Sequence, residues 1–151
     1  MSSPSSSWIA QDHHLVWEAE EAEAVEACSP DGRHIAVGGP NHSVEVWDAR
    51  LRHRWLTYTG HQDGLYRRAS GQMLALAWSP DGRCIASLSS NGSLQVWDAR
   101  TGIHQRTLLP ASSEAVQASS QEQACELRWE TDGLRLLRQR GQEQEQRLWP
   151  L

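Results

Sequence analysis

The chain has 151 residues, 14 basic side chains (all arginine) against 19 acidic ones, eight Trp, no Phe and a net charge of −5. Arginines scattered among acids argue against a nucleic-acid groove. No apolar stretch approaches the roughly 18 to 20 residues that a membrane-spanning helix needs, so a soluble, mildly acidic protein is expected.

Residues 1–7 (MSSPSSS) lack the basic start and hydrophobic segment of a secretory signal and read as a short disordered lead. Trp8-Ile9-Ala10 and Leu15-Val16-Trp17 flank a polar centre, and residues 8–17 read as an outer strand. His13 and His14 beside Asp12 do not make a metal site, because adjacent strand residues point to opposite faces. Residues 18–27 (EAEEAEAVEA) combine good helix formers with poor strand formers, so strand and helix both stay open there, with a solvated acidic face favoured over a cation site.

Ser29-Pro30-Asp31-Gly32 is a turn in which proline pre-sets φ and glycine supplies the permissive backbone. Asn41-His42 reads as a poorer hairpin turn before Val46-Trp47-Asp48. Residues 51–60 alternate, with Trp55, Thr57 and Thr59 on one side and Leu56 and Tyr58 on the other, as an outer strand does. His61 to Gln72 is a long polar loop carrying Tyr66, Arg67 and Arg68. Tyr and Arg often anchor interfaces, which makes these three the candidate partner contact.

Met73–Trp78 is a strand that breaks at Ser79-Pro80-Asp81-Gly82. Ile85–Ser89 follows, then Asn91-Gly92, the dipeptide suited to the two positive φ angles of a type I′ turn. Leu94, Val96 and Trp97 form a third strand ending at Asp98. Residues 101–109 read as the next outer strand, 110–123 as linker, 124–129 and 134–138 as strands and 141–146 as a charged turn. The chain then reaches Trp149 at a third-strand position. Cys28, Cys84 and Cys125 lack a CxxC pair and read as small buried thiols in a reducing, cytoplasmic compartment.

Residues 28–50 align without gaps on residues 78–100, with 14 of 23 positions identical, including SPDGR and VWDAR. A weaker third copy runs from Trp129-Glu130-Thr131-Asp132-Gly133 to Leu148-Trp149, with Pro150 in place of the aspartate. Repetition at this period marks a stacked array of sheets. The SPDG turns, the Val-Trp-Asp endings and Gly60-His61 resemble WD-repeat β-propellers. The resemblance implies an all-β fold, a partial propeller of about three four-stranded antiparallel blades, in units of about 8–48, 51–98 and 101–149.

It further implies structural repeat positions at Asp31, Gly32, Trp47, Asp48, His61, Asp81, Gly82, Ser87, Asn91, Trp97 and Asp98. His61 and Trp97 stand where the family links a histidine, a hydroxyl, a turn acid and a tryptophan by hydrogen bonds. Ser87 or Ser89 supplies the hydroxyl, and Asn91 replaces the acid. No catalytic motif and no metal-ligand spacing is present, and no cofactor is expected.

The function expected is a non-catalytic protein-interaction scaffold. The alternative is a fragment, or a regulatory or sensory appendage, of a larger WD-repeat protein associated with a separate enzymatic domain. Three blades are too few to close alone, and a homodimer of two such chains would complete a six-bladed ring.

Overall fold

The computed structural model describes residues 6–11, 14–19, 25–39, 41–62, 72–110, 122–140 and 142–151. Among them the chain forms only β-strands, arranged as one hairpin and three larger antiparallel sheets. The hairpin joins β1 (Ser6–Gln11) to β2 (His14–Ala19). The first larger sheet has β3 (Glu26–Cys28), β4 (His34–Gly38), β5 (Val44–Asp48) and β6 (His53–Tyr58) in that order. The second has β7 (Met73–Trp78), β8 (Cys84–Ser89), β9 (Leu94–Asp98) and β10 (His104–Leu109). The third has β11 (Glu122–Glu130), β12 (Gly133–Arg140) and β13 (Glu143–Pro150). These are consecutive blades of a partial propeller. Each four-stranded sheet takes its outermost strand from the start of the next sequence unit, so sheets and sequence repeats are staggered.

The two strong copies fold alike because the same residues close the same turns. Asp31 Oδ1 accepts from Ser29 Oγ at 2.6 Å and from the Arg33 N–H at 2.9 Å. Asp81 Oδ1 accepts from Ser79 Oγ at 2.6 Å and from the Arg83 N–H at 3.0 Å. Gly32 and Gly82 both sit at φ +74°, a backbone region that glycine enters freely. At the strand ends, Asp48 Oδ1 accepts from the N–H groups of Arg50 and Leu51, and Asp98 Oδ1 from those of Arg100 and Thr101. The aspartate of each Val-Trp-Asp thus closes the turn into the outermost strand, replacing backbone partners that the chain reversal removes.

Several expectations are corrected. Residues 8–17 form part of two strands, not one. Trp8 pairs with Trp17 and Gln11 with His14, so the apolar segments on either side of the polar centre satisfy each other's backbone groups. Ser6 and Ser7, expected in the lead, belong to β1. Asn91-Gly92 is not a type I′ turn, because Gly92 has φ +90° while Asn91 stays at negative φ. The Gly92 N–H bonds Ser89 O and the Ser89 N–H bonds Ser93 O, as in a three-residue loop with one left-handed glycine. The two positive φ angles occur instead at Asn41 (56°) and His42 (59°).

Residues 143–146, expected as turn, are strand. Arg138 lies opposite Glu145, and their side chains approach to 3.9 Å, so the charges that suggested a loop are paired across the ladder. Of the stretch left open between strand and helix, Glu18, Ala19, Glu26 and Ala27 are strand, and Glu26 is exposed. Cys28 is exposed and Cys84 and Cys125 are half-buried, where buried thiols were expected. Tyr66, Arg67 and Arg68 lie outside the described residues, as do Asp12, His13 and the linker residues 111–121.

The core lies between sheets. Ala36, Val44 and Val46 of the first sheet pack against Leu76, Ile85 and Trp97 of the second. The opposite face of the second sheet, with Ala75, Ala86, Leu88 and Val96, packs against Leu127, Leu134 and Leu136 of the third. One bond recurs at both joints. Trp78 Nε1–H donates to Ala27 O at 2.8 Å, and Trp129 Nε1–H to Ala77 O at 3.1 Å.

Candidate functional site

Two constellations stand out, one enclosed and one open. The enclosed one is centred on His61, which is 1% exposed, and Trp97, which is fully buried. Trp97 Nε1–H donates to Ser87 Oγ at 3.0 Å, and Ser87 Oγ meets His61 Nε2 at 2.5 Å. On the other side of the ring His61 Nδ1 meets Ser93 Oγ at 2.5 Å, and Ser93 Oγ–H donates to Asn91 Oδ1 at 2.8 Å. The Asn91 Nδ2–H group returns to His61 O at 2.9 Å.

A hydroxyl has one proton, and this fixes the direction of every bond. Ser93 spends its proton on Asn91, so it accepts from Nδ1–H. Ser87 therefore donates to Nε2 while accepting from Trp97. His61 is held as the neutral Nδ1–H tautomer. Burial, reinforced by His42 and His104, pulls its pKa from 6.5 down to about 3.

Tyr58 completes the enclosure from the first sheet. Its ring stacks on Trp97 at 4.3 Å and 4°, and its hydroxyl donates to Gln95 Oε1 at 2.5 Å. Gln95 Nε2–H in turn donates to Gly60 O at 3.1 Å. A Cβ on residue 60 would collide with the Tyr58 hydroxyl, so the glycine of Gly60-His61 makes room for the stacked phenol. Ser89, the other hydroxyl considered for His61, instead meets His42 Nδ1 of the first sheet's hairpin at 2.5 Å.

His61, Ser87, Asn91 and Trp97 are thus brought together, while the other repeat positions are not. Asp31, Gly32, Asp48, Asp81, Gly82 and Asp98 lie at turns. The Ser29 hydroxyl and the Arg33 N–H hold the Asp31 carboxyl below its ordinary range, and the Ser79 hydroxyl and Arg83 N–H do the same for Asp81. Bonds from Leu51 and Thr101, respectively, act likewise on Asp48 and Asp98. Trp47 is half-buried, and Val37 stands where Ser87 serves Trp97, so its neighbour offers no hydroxyl. Sequence reasoning missed Ser93, Tyr58, Gln95 and His42. The one available signal was the serine that follows the hairpin turn in both copies, Ser43 and Ser93.

The open constellation is a groove of about 390 Å³ where the first two sheets meet. His34 lies between Trp55, edge-on at 5.7 Å, and Trp78 at 6.2 Å. Trp55 is 50% exposed. Its indole N–H is committed to Arg100 O at 3.1 Å, as that of Trp78 is to Ala27 O. What the tryptophans present to a ligand is therefore apolar ring. Arg33 and Arg100 also line the groove, and neither guanidinium makes a salt bridge among the described residues. Asp31 and Asp81 line it too, with their carboxylates engaged by their own turns. Among the described residues no group of three or more His, Cys, Asp or Glu is placed to hold a metal ion.

The family model of the WD domain, G-beta repeat, matches residues 13–48 and 53–98, which together make up more than half of the chain. No curated protein matches significantly. Among solved structures, the chain is similar to the Myceliophteria thermophila Cps50 (Swd1) β-propeller domain at 17% identity and a TM-score of 0.56. That match covers 85% of this chain and 39% of the other. It is also similar to the C-terminal WD40 domain of Sif2 (16%, TM-score 0.53, 80% and 32%). KlHsv2 with loop 6CD replaced by a Gly-Ser linker is similar at 16%, TM-score 0.58, 80% and 37%. The chain therefore spans between about a third and two fifths of these propellers. With two matched repeats covering more than half of its length and two four-stranded sheets staggered against them, the chain belongs to the WD-repeat family.

Proposed function

We propose that the protein is a non-catalytic scaffold that binds a protein segment in the groove between its first two sheets. The observation that carries this reading is Trp55, half exposed beside Trp78 and His34, with Arg33 and Arg100 at hand. Exposed tryptophan and arginine are the residue types that dominate interface energetics, and the fold itself does not need this ring uncovered. The ligand expected is a peptide with an apolar or aromatic anchor flanked by carboxylates. The anchor covers the indoles and the carboxylates meet the guanidinium groups. The loop bearing Tyr66, Arg67 and Arg68 is a second contact in the same reading, and a reducing, cytoplasmic setting suits three cysteines that form no disulfide.

Selection of a displayed peptide library on the purified chain tests this. Acid-flanked apolar sequences should be enriched, and Trp55→Ala and Arg100→Ala should each weaken their binding about tenfold or more, as expected of interface anchors. No enrichment over an unrelated protein of equal charge, or binding that survives both substitutions, would refute it. The limited share of each solved propeller that the chain spans favours a second reading, in which the three sheets serve as a regulatory part of a larger WD-repeat assembly.

A further inference from the structure

The three larger sheets can be compared position by position, because strand pairing fixes which residues share a face. In the second sheet, the face that packs on the third contains Ala75 opposite Leu88 and Ala77 opposite Ala86. Val96 and Leu94 continue it across β9. In the first sheet the same face offers Ala27 opposite Ala36, then Val46 and Val44, and packs on the second sheet. Both joints are built from small and branched apolar side chains.

The matching face of the third sheet is different. Glu126 lies opposite Leu137 and Arg128 opposite Arg135, where the second sheet has Ala75 with Leu88 and Ala77 with Ala86. Gln146 and Leu148 continue it across β13, where the second sheet has Leu94 and Val96. The charges are organised. Arg128 Nε pairs with Glu126 Oε1 at 2.8 Å, and Arg135 Nε with Glu130 Oε1 at 2.7 Å. Arg135 Nη1–H also reaches Gln146 Oε1 at 3.4 Å. The inward face of the same strands packs Leu127, Leu134 and Leu136 against the second sheet and carries its own ion pair, Arg138 with Glu145, at one end.

We infer that the outward face of the third sheet is a water-facing cap on which no further sheet of this type stacks, neither from a second copy of this chain nor from another WD-repeat protein. Stacking would take these ion pairs out of water without giving them better partners. A polar outer face is what an array of stacked repeats needs at its end. A second copy fits poorly from its own side as well. Its first sheet would bring Glu26 and Cys28 where the second sheet brings Leu76 and Trp78, so the recurring indole-to-carbonyl bond could not form. Its Glu45 is already paired with Arg54. The six-bladed homodimer expected from the sequence is disfavoured on these grounds.

Light scattering on a sizing column tests the inference with the full chain and the triple variant Glu126→Ala, Arg128→Ala, Arg135→Ala, which copies the second sheet's Ala75, Ala77 and Ala86. The wild type should elute at one chain mass, 17.0 kDa, at every concentration. The variant should shift to at least twice that mass as concentration rises, and bind a hydrophobic dye. Should the triple variant lose its near-ultraviolet tryptophan signal, the double variant Glu126→Ala, Arg128→Ala at two exposed positions makes the same comparison. A wild-type dimer that Arg128→Ala dissociates, or a folded variant that stays at one chain mass, would overturn the inference.

Discussion

Lowering the pH should unfold this protein through His61. The imidazole is neutral in the folded state, with a pKa pulled to about 3, whereas an unfolded chain binds its proton near 6.5. A histidine whose folded pKa is depressed contributes its full stabilisation above pH 6.5. That contribution is lost progressively as the pH falls from 6.5 towards 3, because only the unfolded state gains the proton. At pH 5 the unfolded group is about 1.5 pH units below its pKa, and one unit corresponds to about 1.36 kcal/mol, so the loss is about 2 kcal/mol. Marginal stability of about 5 to 15 kcal/mol makes this a large fraction. The hydrogen-bond chain explains why no local rearrangement relieves the cost. A protonated ring would direct its Nε2–H at Ser87 Oγ, and the Ser87 proton that Nε2 now accepts would lose its acceptor inside the enclosure. The assay is urea unfolding, followed by tryptophan fluorescence from pH 7.5 to 4.5, of the wild type and of His61→Gln. The carboxylates of Asp31, Asp48, Asp81 and Asp98 titrate in the same direction in both proteins and cancel in the difference. The wild type should lose about 2 kcal/mol more than the variant between pH 7.5 and 5. Parallel curves would refute the neutral, proton-excluding His61.

Three further substitutions probe the joint between the first two sheets. Gly60→Ala places a methyl group against the Tyr58 hydroxyl and close to Gln95 Oε1, forcing the phenol off Trp97. A loss of about 1 to 3 kcal/mol is expected, with a changed near-ultraviolet signal, and an unchanged melt would contradict the stacked arrangement. Trp78→Phe keeps most of the ring but removes the donor to Ala27 O, which should cost about 1 kcal/mol. Trp55→Phe removes a longer, exposed bond and should cost less than half of that, so equal effects in thermal unfolding would argue against a structural role for the Trp78 to Ala27 bond.

The strands of the two strong copies were legible because their punctuation is chemical. Pro and Gly in SPDG and the aspartate in VWDAR each satisfy a local backbone requirement, and those requirements are met within a few residues. What was not legible depends on partners that local sequence does not specify. The Asn91-Gly92 dipeptide is compatible with two turns. The one adopted leaves the Asn91 amide bonding His61 O, thirty residues away. Residues 143–146 looked like loop because their charges were counted singly, whereas Glu145 is read correctly only once Arg138 stands across from it. The enclosure of His61 follows the same division. The histidine, Ser87, Asn91 and Trp97 could be named from the resemblance, but Tyr58 acts on Gln95 at a separation of 37 residues and His42 on Ser89 at 47.

The shared and unshared residues of the repeat do different work. Identities between residues 28–50 and 78–100 gather at the turns and strand ends, where they make each copy a sheet. Differences gather where a sheet meets something else. Cys28 against Trp78 and Val37 against Ser87 decide whether a tryptophan lock can form, His42 against Gly92 whether a hairpin reaches the next sheet, and Glu26 against Leu76 whether a face is wet. The third sheet follows the same rule. Its departures are not spread evenly, since the inward face keeps Leu127, Leu134 and Leu136 packed on the second sheet, with the Arg138–Glu145 pair only at one end, whereas the Glu126–Arg128 and Glu130–Arg135 pairs occupy the outward face. A repeat that had merely decayed would lose packing residues on both faces alike. The asymmetry is that of a sheet shaped to be joined on one side and to meet water on the other.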